Sequence, residues 1–205
     1  MTRNALALGI LVLVCTAAPA FAGGEGASFG ERFANRNCAW CHGSSLQGYT
    51  SAPRLAGQTR QYLQKQFAGF ANHTRDNPLS KQFMWGAPVH LSPFAARELA
   101  SYLASIPPEP ARDGDASHAE RGRALYVAGN QAANIPACGA CHGPQAQGAG
   151  AVPRLAGLSY FYLKRKLEQW AQGYHAAAGP PMPGIATEMS KNDVAALASY
   201  LSFLP

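Results

Sequence analysis

Two short runs hold the residue types most able to do chemistry: Cys38-Ala39-Trp40-Cys41-His42 and, one hundred residues later, Cys138-Gly139-Ala140-Cys141-His142. Paired thiols followed at once by an imidazole form the attachment signature of a c-type haem. The thiols add to the porphyrin vinyl groups as thioethers, and the adjoining His ligates the iron. Of five cysteines in the chain, only Cys15 lies outside these runs, so none is left for a structural disulfide. A redox dithiol would sit near a βαβ pattern, which is missing here, and a zinc site would not explain a His directly after each pair. Two covalently bound haem c groups are therefore expected, with His42 and His142 as iron ligands.

The sixth position on each iron decides the chemistry, because a thioether there closes the site and raises its potential, whereas an open position admits small molecules. Met84 follows His42 by 42 residues and Met182 follows His142 by 40, each in a loop bearing Pro and Gly. Met84 and Met182 are the expected axial ligands. Met189, which aligns with core-like Leu91, is the rival for the second iron. His73 and His90 are rivals for the first, although neither has a His counterpart in the second half.

A ligating His usually gives its other N–H to a carbonyl or carboxylate, which fixes the ring. Pro53 and Pro153 lie eleven residues after their His and are positioned to offer that carbonyl. Arg54 and Arg154 would then reach the haem propionates. The alternative is a Pro-initiated turn with an exposed Arg.

The elements that must position these groups are written twice. A shift of one hundred superposes Pro53-Arg54-Leu55-Ala56-Gly57 on Pro153-Arg154-Leu155-Ala156-Gly157 and Tyr62-Leu63 on Tyr162-Leu163. A shift of 98 then superposes Met84 on Met182 and the Ala-Ser-Tyr-Leu at Ala100 on that at Ala198. Each copy is helical, with no alternating strand run. Ser28 to Glu31 and Ser117 to Glu120 read as capping boxes opening a first helix. A second helix follows Thr59 or Ser159, and a third follows Ser92, with Pro93 at its first position, or Ser190. Leu63, Phe67 and Phe70, matched by Leu163, Leu167 and Trp170, form one inward face. Leu99, Tyr102 and Leu103, matched by Leu197, Tyr200 and Leu201, form another. His118 and His175 read as ordinary surface or loop residues.

The first residues comprise a basic start with Arg3, an apolar run over Ala5 to Val14, and Ala20-Phe21-Ala22, the pattern of a secretory signal peptide. The expected division is 1–22 signal peptide, 23–108 first domain, 109–117 linker and 118–205 second domain. The linker begins Pro-rich and semi-rigid, then turns or flexes at Asp113-Gly114-Asp115. The apolar run is too short to span a membrane, so an exported, periplasmic protein is expected. The formal charge of +6 is modest. Lys164-Arg165-Lys166 reads as a solvated helix face that helps steer an acidic partner, so no nucleic-acid partner is expected.

Taken together, the doubled Cys-His-Gly, Pro-Arg-Leu-Ala-Gly, Tyr-Leu helix, Met loop and Ala-Ser-Tyr-Leu helix resemble the di-haem cytochromes c4. They are also similar to the di-haem subunit of flavocytochrome c sulfide dehydrogenase. The resemblance implies an all-α fold of two tandem class I cytochrome c domains, each wrapped around one covalently attached haem, with axial pairs His42/Met84 and His142/Met182. It implies a non-catalytic electron carrier between a quinol-oxidising complex or dehydrogenase and a terminal oxidase. The alternative is an electron-accepting subunit of a dehydrogenase complex. Either a monomer or a subunit of a hetero-complex fits, and a loose membrane association is compatible with both.

Overall fold

The computed structural model describes residues 26–205 apart from Val89, Ala176 and Ala178; the expected signal peptide lies outside the described residues. Among these residues the architecture is helical, with only two isolated bridges in place of strands. The first half contains α1 (Phe29–Asn37), α2 (Ala39–His42), α3 (Arg60–Ala71), a π-helical turn (Ser80–Met84) and α4 (Pro93–Ser105). The second contains α5 (Ala116–Ala128), a 3-10 turn (Gln131–Ala133), α6 (Gly139–His142), α7 (Tyr160–Ala171), α8 (Met182–Thr187) and α9 (Lys191–Phe203).

In each half the first helix crosses the last, α1 on α4 and α5 on α9. Glycine makes the crossing close. A Cβ at Gly30 would lie 2.3 Å from the Glu98 carbonyl oxygen, and one at Gly122 would lie 2.0 Å from that of Ala196. Leu63, Leu99 and Leu103 build one core with Leu46, and Leu163, Leu197 and Leu201 build the other with Tyr126 and Ile135. Each such leucine contributes about 1.5–3 kcal/mol when fully buried.

Ser28, Thr59, Ser92 and Ser190 cap their helices through the side chain, and Ser190 with Asp193 closes a full capping box. The expected box at Ser117 does not cap. Asp115 does so instead, its carboxylate accepting from Ser117 N at 2.9 Å, and α5 starts earlier than expected. Asp113 takes over the cap of α7, accepting from Ser159 Oγ and Tyr160 N, both at 2.7 Å. Carboxylates accept these bonds with charge, so they outcompete a neighbouring hydroxyl. Gly114 between them lies against Ser199, where a Cβ would come within 2.6 Å. The Asp-Gly-Asp stretch is thus a rigid clamp rather than a flexible piece.

The rest of the connection is pinned as well. Ala111 N donates to Gly157 O and Arg112 N to Ser202 O, each at 3.0 Å. Gln47 bonds both Pro107 O and Glu109 N, at 2.9 and 3.0 Å. Residues 129–137, which lengthen the stretch between the first helix and the haem motif in the second half, fold on themselves through Asn130 and Ile135, and Ile135 is buried in the second core.

Candidate haem centres

α2 and α6 are single turns that place both thiols and the imidazole of each motif on one short segment. The two copies agree closely. His42 and His142 are buried, and their Nδ1–H groups donate to the carbonyls of Pro53 at 2.7 Å and Pro153 at 2.9 Å. A carbonyl can only accept, so Nδ1 carries the proton and Nε2 keeps its lone pair for a metal. Burial holds both imidazoles below the usual His range against the opposing pull of the proline carbonyls; Arg75 lowers His42 further.

The carbonyl arrives there because the intervening loop is folded onto itself. Leu55 N and Ala56 N both donate to Leu46 O, and Leu155 N and Ala156 N do the same to Ala146 O. Gly48 N and Gly148 N bond back to His42 O and His142 O. Both glycines have positive φ, and a Cβ on either would sit within about 2.5 Å of the Pro-Arg backbone. These glycines went unremarked in the sequence, although the one-hundred-residue register pairs them.

Cys38 and Cys138 are half-buried, Cys41 and Cys141 exposed, and all four are free. Burial above all raises Cys38 and Cys138 to about 11; Cys41 adds to the rise at Cys38, and at Cys138 a backbone hydrogen bond opposes it while Cys141 adds to it. Redox dithiols depend on a lowered thiol pKa, so these pairs are poor oxidoreductase centres. Thiols and an imidazole with a free Nε2 fit the covalent attachment and ligation that a haem c requires.

A second observation fits the propionate edge of such a group. Arg54 Nε and Arg154 Nε are buried without a hydrogen-bond partner among the described residues. Arg54 is lowered to about 10 by burial and by the nearby Arg154. The other Arg54 donors cross to the second half, reaching Gly157 O at 3.0 Å and Ala156 O, while a third contact reaches Glu109 O at 2.6 Å. Arg154 Nη2 bonds the Pro205 carbonyl. The exposed-arginine alternative is thereby excluded for Arg54.

Met84 closes the π-helical turn and is half-buried; the next residue, Trp85, donates from Nε1 to Arg75 O at 2.9 Å. Met182 opens α8 and packs with Leu167, Trp170, Ala186 and Val194. Met189 packs in that cluster too and also touches the second core. His73 and His90 are exposed, and His73 stacks on Trp85 at 4.0 Å between ring centroids.

Two expectations fail here. Lys164-Arg165-Lys166 is not a solvated face: Lys166 is buried, and Arg165 donates to the carbonyls of Thr50 and Ser51 in the first half. His175 is buried as well, 4 % exposed. The opposing half covers both, and a helix read in isolation carries no sign of that cover.

The model of the cytochrome c family matches this chain twice, over residues 27–107 and 119–205. The chain belongs to the cytochrome c family. It is similar over 99 % of its length to cytochrome c-552 of Acidithiobacillus ferridurans, at 32 % identity and 88 % of that protein. A thiosulfate dehydrogenase electron acceptor of Stutzerimonas stutzeri is 38 % identical over 80 % of this chain and 77 % of its own. The solved cytochrome c4 of Acidithiobacillus ferrooxidans superposes with a TM-score of 0.73 at 32 % identity, covering 82 % of this chain and 99 % of that one. This cytochrome is accordingly an all-α, tandem-domain electron carrier with two covalently bound haem c groups, and not itself an enzyme. Among the described residues no helix is long and apolar enough to cross a membrane.

Proposed function

We propose that this cytochrome is exported to the periplasm and carries single electrons from a quinol-oxidising complex or a dehydrogenase to a terminal oxidase. The observation supporting it is the repetition of one complete thiol, imidazole and proline-carbonyl unit on both sides of a buried, hydrogen-bonded seam. Haem supplies a reversible one-electron store when bound. Cys38, Cys41, Cys138 and Cys141 would hold it covalently, and His42 and His142, with Nδ1 engaged by a proline carbonyl, would ligate it through Nε2. Met84 and Met182 would supply the remaining ligands, and a thioether there would keep substrates off the metal and confine the role to electron transfer. Pro53 and Pro153 fix the imidazoles, and the free Nε–H groups of Arg54 and Arg154 receive carboxylates. The domain limits 23–108 and 118–205, joined by 109–117, follow from the same repeat.

A second reading, an electron acceptor dedicated to one dehydrogenase, is favoured by the Stutzerimonas relative, whose name describes that role for thiosulfate. Affinity capture of the holoprotein from periplasmic and membrane fractions distinguishes them. The shuttle reading predicts a monomer that a quinol-oxidising complex reduces directly. Stoichiometric co-purification with a dehydrogenase, and no reduction by the quinol-oxidising complex, would overturn it in favour of the second.

A further inference from the structure

At the seam between the halves the register of one hundred brings together three pairs of matched positions: Tyr62 with Tyr162, Gln66 with Lys166, and Arg75 with His175. In the first half the helix residue is neutral and the loop residue is the cation. Arg75 is buried, donates to Gln66 Oε1 at 2.7 Å and to Tyr162 Oη at 3.2 Å, and lies 4.6 Å above the Phe70 ring. The second half reverses the polarity. Lys166 on α7 is the cation-forming group, buried, with its Nζ against His175 Nδ1 and 4.7 Å from the Trp170 ring centroid. Duplication has left a permanent charge on one side and a titratable pair on the other.

That pair has room for one added proton. With Lys166 donating to Nδ1, the imidazole is neutral and carries its hydrogen on Nε2, which is buried without a partner among the described residues. A second proton would set N–H against N–H with both groups charged. The charged groups facing the pair are Arg75 and Asp76 from the loop after α3, and Lys65 from α3 itself; Tyr62 and Tyr162 flank Arg75. Asp76, the one carboxylate of this set, already accepts from His175 N at 2.7 Å. Burial, then Arg75, push Lys166 down to about 6 despite Asp76, and burial and Lys166 push His175 down to about 3. A cavity of about 180 Å³ walled by Lys65, Gln66, Thr74 and His175 adjoins the pair on the His175 side. Trp170, stacked on His175, belongs to the apolar cluster that contains Met182.

We propose that Lys166 and His175 form a one-proton site that couples proton uptake to reduction of the second half, while Gln66 and Arg75 leave the first half uncoupled. The electron comes from a one-electron donor protein and the proton from water. An N–H bond forms on the pair during reduction and breaks again on oxidation. The inference rests on each half's holding one haem and on the second haem's lying against the cluster that contains both Met182 and Met189, whichever of the two fills the sixth position.

The sign follows from charge. An electron added nearby favours the protonated pair, so the second potential is highest in acid and falls as pH rises through about 6. A tenfold tighter hold on the proton in the reduced form moves that potential by about 59 mV. Spectroelectrochemical titration of the holoprotein from about pH 5 to about pH 8 should give one sloping and one flat potential. Lys166→Gln with His175→Arg rebuilds the first half's own arrangement and should flatten the slope. Proton release and uptake by wild-type protein, followed with a pH indicator during redox cycling, gives a readout independent of any variant and should peak near the same pH. Two flat potentials, a slope that survives the double substitution, or redox cycling without proton exchange would overturn the proposal.

Discussion

The hydrogen bond from each imidazole to its proline sets the tautomer on which ligation depends, and both copies make it with near-identical lengths. The sixth position tests the remaining ligand assignment. Met182→Ala is expected to abolish one of two sulfur-to-iron charge-transfer bands in the oxidised protein and to lower one potential, whereas Met189→Ala should do neither. Band loss in Met189→Ala would show that the two methionines have been assigned in the wrong order. Spacing made the thiol pairs, the histidines and the eleven-residue step to proline readable from the sequence. Lys166 and His175 were not readable, because their residue types usually mark the surface and their burial comes from chain one domain away.

Among the elements, the crossing of α5 on α9 has the least tolerance. Gly122→Ala forces a methyl group against the Ala196 carbonyl and is expected to cost about 1–3 kcal/mol, read as a lower denaturant midpoint for the holoprotein. Gly26, ahead of α1 and with nothing within 4 Å of a built Cβ, provides the control, and its change to Ala should be neutral. Equal effects at both positions would show that close approach does not govern the crossing. Four of the helix starts were legible because a lone hydroxyl stood at the cap. That of α5 was misjudged, and the cap of α7 by Asp113 was missed although its start after Ser159 was legible, because Asp113 and Asp115 lie in a stretch whose composition suggests flexibility. A carboxylate's use as a cap depends on where the helices dock.

For the whole molecule, the halves are locked by bonds that run both ways across the seam. Gln58 accepts from Arg154 N at 2.8 Å and donates to Arg154 O at 3.0 Å, Thr59 Oγ1 donates to Gly150 O at 2.7 Å, and Arg54 reaches the Gly157 turn. A Cβ on Gly157 would meet Arg54 Nη1 at 2.6 Å, so the repeated Pro-Arg-Leu-Ala-Gly serves the seam as well as the imidazole. The repeat itself announced two domains, but this second use of its arginine was hidden, since a motif identical in both halves says nothing about which half each copy contacts. A fixed seam suits a carrier, because two redox centres held at constant separation exchange electrons without waiting for domain motion. The most direct test of that account is a reductive titration of the intact protein with the sulfur-to-iron band monitored throughout. Uptake of two electrons per chain, with a band of two-haem intensity that disappears in full, is the predicted result. A band of half that intensity, leaving one oxidised centre without a methionine ligand, would contradict the account of a closed, two-centre electron carrier.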